Sequence, residues 1–136
     1  MPGDRQSVYD VVDAGVALRY KYRNKPVLRD NIRFDSTGEY ERWTILQLLE
    51  RSGHICNLRR QVKFDLGKSL ITGRMLSMRW DYSYRDGGNI VVEDWKGMVT
   101  KEWAVKAAWF AEKYPLWQIR ITGRNKQTIV VDKRKG

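Results

Sequence analysis

Cysteine and histidine occur once each in the 136 residues. A lone cysteine, Cys56, excludes an intramolecular disulfide and cannot build a cysteine-based zinc site by itself. A small core residue is expected there. His54 has no second His or Cys at ligand spacing, so a surface or hydrogen-bonded histidine is expected rather than a metal ligand. No apolar run approaches the ~20 residues of a membrane span. The opening MPGDRQSVYDVV lacks the apolar centre of a signal peptide. A soluble protein of a reducing, cytoplasmic compartment is the expectation. Internal repeats and low-complexity tracts are also missing.

Acids are scarce relative to bases. The chain has 16 Asp+Glu against 26 Lys+Arg, a formal charge of +10. That excess favours a polyanion as partner, nucleic acid ahead of an anionic membrane surface, because no basic amphipathic helix long enough for membrane attachment stands out. A basic protein merely kept soluble by its charge is the plainer alternative. At 42% hydrophobic and 31% charged the chain is globular, and its length suits a single domain with a genuine core.

Along the chain, SVYDVVDAGVALR has the pattern of a short helix, and RYKYRNKP alternates cations with Tyr20 and Tyr22. That stretch suits a basic arm, about residues 1–25, lying along phosphates. PVLRDNIRF reads as two short strands around an Asp30-Asn31 turn. A helix opens at Ser36, where Glu39 three residues on makes a capping-box spacing, and Tyr40, Trp43, Leu46 and Leu49 form its apolar stripe. Gly53 is its stop. ICNLRRQVKFDL reads as extended, interrupted by GKS and TGR loops. Gly67-Lys68-Ser69 echoes a phosphate-binding loop, but Val62 stands where the first glycine belongs, which removes that motif.

Leu76, Met78, Trp80, Tyr82 and Tyr84 are expected on one face of the next strand, with Ser77, Arg79, Asp81 and Ser83 on the other. The turn DGGN leads into IVVEDW. A second helix runs from an N-cap at Thr100 to Tyr114, ended by Pro115. LWQIRIT is a final core strand, and QTIVVDK has the pattern of one more within a basic tail over about 123–136. Core packing is expected for Trp43, Trp80, Trp103 and Trp109, while Trp95 is available to a helix or a partner chain. The order implies an α/β (α+β) domain with a central mixed sheet flanked by helices.

The hairpin carries the chemistry. A turn centred between Gly87 and Gly88 pairs residues whose numbers sum to 175. Asp81 then faces Asp94 on one side of the sheet, with Cβ atoms ~5 Å apart. Lys96 falls on that same face by alternation, with Arg79 opposite it. A three-residue loop would instead pair Asp81 with Glu93 or Trp95. Two converging carboxylates with a lysine beside them fit metal-assisted phosphodiester hydrolysis, since Mg²⁺ takes hard oxygen ligands and usually only one or two protein carboxylates. The ammonium suits charge developing on phosphorus. A solvated strand face on which Arg79 pairs with Asp94 is the competing reading.

The series Asp81…Asp94-Trp95-Lys96 resembles the signature of PD-(D/E)XK nucleases. KYRN…IRFDSTGEYERW and VVEDWKG…T…W…K…YP…IRI extend the likeness over roughly residues 20–122. The layout is similar to that of phage endonuclease I-type Holliday-junction resolvases. Two features depart from the family pattern. Trp80 stands where a proline or small residue usually precedes the first acid, and Asp94 replaces the commoner Glu beside a neighbouring Glu93.

The resemblance implies a restriction-endonuclease-like core. It makes Asp81 and Asp94 metal ligands, Lys96 the catalytic lysine and Glu39 an additional metal-binding acid, although the capping box explains Glu39 locally. It implies Mg²⁺, with Mn²⁺ as a substitute, branched DNA as substrate, a homodimer, and host cytoplasm for a phage-encoded chain. Lys106, in the helix after the motif, is a candidate phosphate contact, with a plain exposed lysine as its alternative. Arg19, Lys21, Arg23, Lys25, Arg59, Arg60 and Lys63, with terminal Lys133, Arg134 and Lys135, are the candidate DNA-binding cations. A nuclease acting on linear or flapped DNA and a non-catalytic basic DNA-binding protein are the alternatives.

Overall fold

The computed structural model describes residues 27–29, 32–34, 36–123 and 128–134. The expected N-terminal helix, the cations Arg19, Lys21, Arg23 and Lys25, and Lys135 lie outside the described residues. Two compact units are present, residues 1–45 and 46–136.

In the first unit, β1 (Val27–Arg29) and β2 (Ile32–Phe34) pair antiparallel, as the Asp30-Asn31 turn signal requires. Helix α1 (Thr37–Arg51) follows. Ser36 is its cap, its hydroxyl accepting the Glu39 backbone N–H at 3.1 Å and satisfying one of the orphan donors of the first turn. Tyr40 stands edge-on to Phe34, with ring centroids 5.3 Å apart.

The second unit begins within α1 and holds a five-stranded sheet in sequence order. Its strands are β3 (Cys56–Lys68), β4 (Met75–Asp86), β5 (Asn89–Lys96), β6 (Trp117–Gly123) and β7 (Thr128–Val131). All neighbours are antiparallel except β5 and β6. A parallel pair needs a crossover, and helix α2 (Lys101–Lys113) supplies it. The Thr100 hydroxyl caps α2 by accepting the Trp103 N–H. The chain is thus α+β, with two helices and a mixed sheet among its described residues. No helix among those residues is long and apolar enough to cross a membrane.

The face of the sheet toward α2 buries Leu66, Met78, Trp80, Val92 and Ile119 with Phe110 of the helix. Phe110 lies edge-on to Trp80 and Phe64, with centroids 5.0 Å from each. Burying a side chain of this size contributes roughly 1.5–3 kcal/mol.

The β4–β5 register follows the sum of 175, from Asp86↔Asn89 to Tyr82↔Glu93. Gly87 at φ +61° opens the two-residue turn, the sign that a type II′ turn requires and that only glycine adopts without strain.

Four expectations need correction. The alternation along β4 breaks at Asp81. Trp80 packs toward α2 with Val92, whereas Tyr84 bonds Glu93, the residue beside Val92 on the opposite face. Trp80 and Tyr84 therefore do not share a face. The break coincides with Gln61 at φ +52° on the neighbouring strand, and a left-handed residue reverses the pleat that alternation assumes. Cys56 is exposed, because it starts an edge strand ahead of a register shift between Cys56 and Arg59. Trp109 is 40% exposed, one ring edge lying against Gly67. Gly67 and Lys68 end β3 rather than forming a loop.

Candidate metal and phosphate site

At the end of the regular β4–β5 ladder the two strands exchange side chains for backbone bonds. Asp81 N–H donates to Asp94 Oδ1 at 2.7 Å, and Trp95 N–H donates to Asp81 Oδ2 at 2.9 Å. Each carboxylate thus replaces a carbonyl that a continuous ladder would offer. Two acids facing each other without such partners would weaken the sheet. Here each negative charge sits on a backbone N–H of the other strand, a charge-assisted bond stronger than the neutral one it replaces. Gln61 Nε2 reaches Asp81 Oδ1 at 3.4 Å from the third strand.

Lys96 lies on the same face. Its Nζ is 3.2 Å from Asp94 Oδ2 and 4.8 Å above the centroid of the Trp103 ring. Asp94 is 3% exposed, while the Lys96 side chain keeps 26% of its surface in contact with solvent. Burial pushes the Asp94 carboxyl above the ordinary carboxylate range, and Lys96, the Asp81 N–H and the Trp103 indole N–H pull it back down. The competing pairing of Arg79 with Asp94 is not what forms. Arg79 is exposed and lies across from Lys63 of β3.

Glycine at position 123 also shapes the site, and periodicity gives no sign of it. β6 pairs Gly123 with Lys96, and a Cβ there would come 2.6 Å from the Lys96 carbonyl oxygen. Any side chain at 123 must push the backbone that carries Lys96. Gln61 was equally invisible, because its left-handed backbone is a property of the paired strands. A non-glycine residue held there costs roughly 1–3 kcal/mol and tends to cluster at functional sites.

The other expected residues stand on other elements. Glu39 is buried on α1 in the first unit. Arg59 and Lys63 are exposed and Arg60 half-buried on the edge strand β3. Lys106 is exposed on α2. The tail contains β7, Lys133 pairs with Glu112, and Arg134 binds Asp132 and Asn89. His54 is exposed and bonded to the Ser52 hydroxyl.

Residues 19–128 match the family described as a protein of unknown function, DUF1064. The chain belongs to that family. The matched stretch of this DUF1064 protein takes in the hairpin, both helices and β6. No curated protein matches the chain.

As a donor set, the two carboxylates suit a hard divalent cation. Each carboxylate oxygen has two lone-pair directions, so accepting a backbone N–H does not exclude a cation, and two acids are within what Mg²⁺ takes from protein. Among the described residues, no group of three or more His, Cys, Asp and Glu could hold a metal. Two carboxylates leave the other positions of such an ion to further oxygens, water and substrate among them.

Proposed function

We propose that this DUF1064 protein is a metal-dependent DNA endonuclease of the PD-(D/E)XK kind, cutting branched DNA such as four-way junctions. The observation that carries the reading is the opened end of the β4–β5 pair, with Asp81 and Asp94 anchored across the gap and Lys96 3.2 Å from Asp94. Asp81 and Asp94 would hold Mg²⁺, or Mn²⁺ in its place. A bound divalent ion supplies a Lewis acid for the phosphoryl oxygen and lowers the pKa of water.

The chain's own groups do the rest. Lys96, steadied by Asp94 and the Trp103 ring, offers its ammonium to charge developing on the phosphate or orients the attacking water. The backbone N–H bonds fix both carboxylates, so little reorganisation is needed when substrate arrives. By the family resemblance the 3′ oxygen leaves and a 5′-phosphate remains. Cutting two strands symmetrically calls for a twofold dimer. The part given to Glu39 rests on the resemblance alone, and cutting by Glu39→Gln tests it. The excess of cations supports a polyanionic partner. A basic protein that only binds DNA has no use for two acids beside a phosphate, which they repel.

The test is cleavage of a labelled four-way junction and of linear duplex, with Mg²⁺ or with chelator, by wild type and Asp81→Asn. Metal-dependent cutting of the junction, lost in the variant, is expected. Absence of metal-dependent cutting on any DNA removes the nuclease. Equal cutting of junction and duplex keeps the nuclease and removes the preference for branches.

A further inference from the structure

The tip of the β3–β4 hairpin exposes two large apolar side chains completely. Leu70 and Ile71 are 102% and 94% exposed, and Met75 just beyond them is 50% exposed. Leaving such side chains in water forgoes the stabilisation that burial brings, and a loop has no need of them. The tip is also held in shape. Ser69 N–H donates to the Arg74 carbonyl at 2.9 Å and Gly73 N–H to the Ser69 carbonyl at 2.8 Å. The Ser69 hydroxyl accepts from both Ile71 N–H and Thr72 N–H at 3.2 Å, and the Thr72 hydroxyl accepts from Arg74 N–H. Backbone bonds close the loop while its apolar side chains point outward.

The charge around the tip is of one sign. From Leu66 to Trp80 the sequence carries Lys68, Arg74 and Arg79 and no acid. Lys68 and Arg74 flank the apolar pair, and exposed Lys63 and Arg79 face each other further down the hairpin. A second copy docking tip to tip would set these like charges together, which opposes association. Stacked bases between rows of phosphate match both parts: apolar side chains inserted at a base step, and cations on the flanking backbone.

We propose that Leu70 and Ile71 form a wedge that enters a base step of nucleic acid, with Lys68 and Arg74 on the adjoining phosphates. The proposal rests on the nucleic-acid reading of the chain and goes beyond it by naming how the substrate is deformed. Opened or flexible steps, as at a branch point, cost least to part. Asp81 lies six residue steps along β4 from Met75, about 20 Å of strand. That spans about six base-pair steps.

The experiment uses the full chain in chelator, so that no cutting intervenes. A four-way junction and a linear duplex each carry 2-aminopurine, whose fluorescence rises when it is unstacked. Wild type is expected to raise the junction signal severalfold. The double variant Leu70→Ser/Ile71→Ser is expected to lose that rise and to bind about tenfold more weakly, with an unchanged dependence on salt. Lys68→Gln/Arg74→Gln is expected to lower the slope of log K against log salt by about two. Both pairs lie exposed at the tip, and unchanged thermal melts check that the variants fold.

An undiminished fluorescence rise in the Leu70/Ile71 variant overturns the wedge. So does conversion of a dimer to a monomer with fluorescence unchanged, which would make the tip a contact between copies. Loss of the wedge with Mg²⁺-dependent cutting intact leaves the nuclease standing, whereas absence of that cutting removes the nuclease whatever the fluorescence does.

Discussion

Glu93 and Asp94 are adjacent acids on β5, both buried, with opposite surroundings. Glu93, 0% exposed, faces away from α2 and accepts from the Tyr84 hydroxyl at 2.5 Å and the Thr122 hydroxyl at 3.2 Å. Arg120 extends that network, reaching the Tyr84 hydroxyl, Asp86 and Gln118, and Gln118 donates to Asp132. Asp94 faces α2 and meets a backbone N–H, an indole N–H and an ammonium that solvent still reaches. Burial of an acid therefore does not by itself mark a site. What separates these two is whether a partner of the acid is open to a substrate. Among the described residues, the groups donating to Glu93 include the hydroxyls of Tyr84 and Thr122, both buried, as buried polar groups require. On the Asp94 face one partner is a cation that solvent reaches.

The largest test of that difference is catalytic. On the nuclease reading, Lys96→Ala is expected to slow metal-dependent cutting about a thousandfold. Glu93→Gln, which keeps the shape and an acceptor for Tyr84, is expected to leave cutting within about tenfold. Single-turnover rates on one junction substrate check both, and equal losses would erase the distinction between the faces. Gly123→Ala comes next. Its Cβ must displace the Lys96 carbonyl, so cutting is expected to fall about a hundredfold, as a misplacement of about 1 Å does. DNA binding in chelator should be unchanged, because the substitution removes no cation that could meet phosphate.

Stability separates the faces further. Glu93→Ala removes the buried acceptor of the Tyr84 and Thr122 hydroxyls and is expected to cost about 3 kcal/mol, lowering the melting temperature by roughly 10 °C. Asp81→Ala orphans the Trp95 N–H and is expected to cost about 1–3 kcal/mol. Asp81→Asn keeps an oxygen for that donor and should melt close to wild type. Melts in chelator decide this, and a large loss in Asp81→Asn would mean that the charge itself holds the strands together.

The smallest effects are in pH dependence, and they have opposite signs. Asp94 is held above its ordinary value by burial. The folded state therefore binds its proton more tightly than the unfolded state, and stability falls as pH rises from the ordinary value to the raised one. Arg134 and then Gln118 hold the Asp132 carboxyl well below the ordinary range. Its contribution is present above the ordinary value and is lost as pH falls through the lowered one. Melting curves across the acid range should lose the first slope in Asp94→Asn and the second in Asp132→Asn.

Much of this molecule was readable before its structure. The turn at Gly87-Gly88 and the two-residue periodicity set the register, and the caps at Ser36 and Thr100 set where the helices begin. These are local effects of backbone geometry and short-range hydrogen bonds, which residues carry with them. That Asp94 and not Glu93 shares a face with Lys96 followed from alternation alone.

Alternation failed at Asp81, where the facing of β4 reverses. That reversal coincides with the left-handed Gln61 of a neighbouring strand, and no pattern within β4 reports it. The pairing of opposed acids with each other's strands, the closeness of Gly123 to Lys96, and the exposure of Cys56 and Trp109 belong to the same class. Turn chemistry and alternation set which residues could meet across the hairpin. What lies between them came from the folded sheet, because backbone strain and close approach arise where strands distant in sequence are forced to share space.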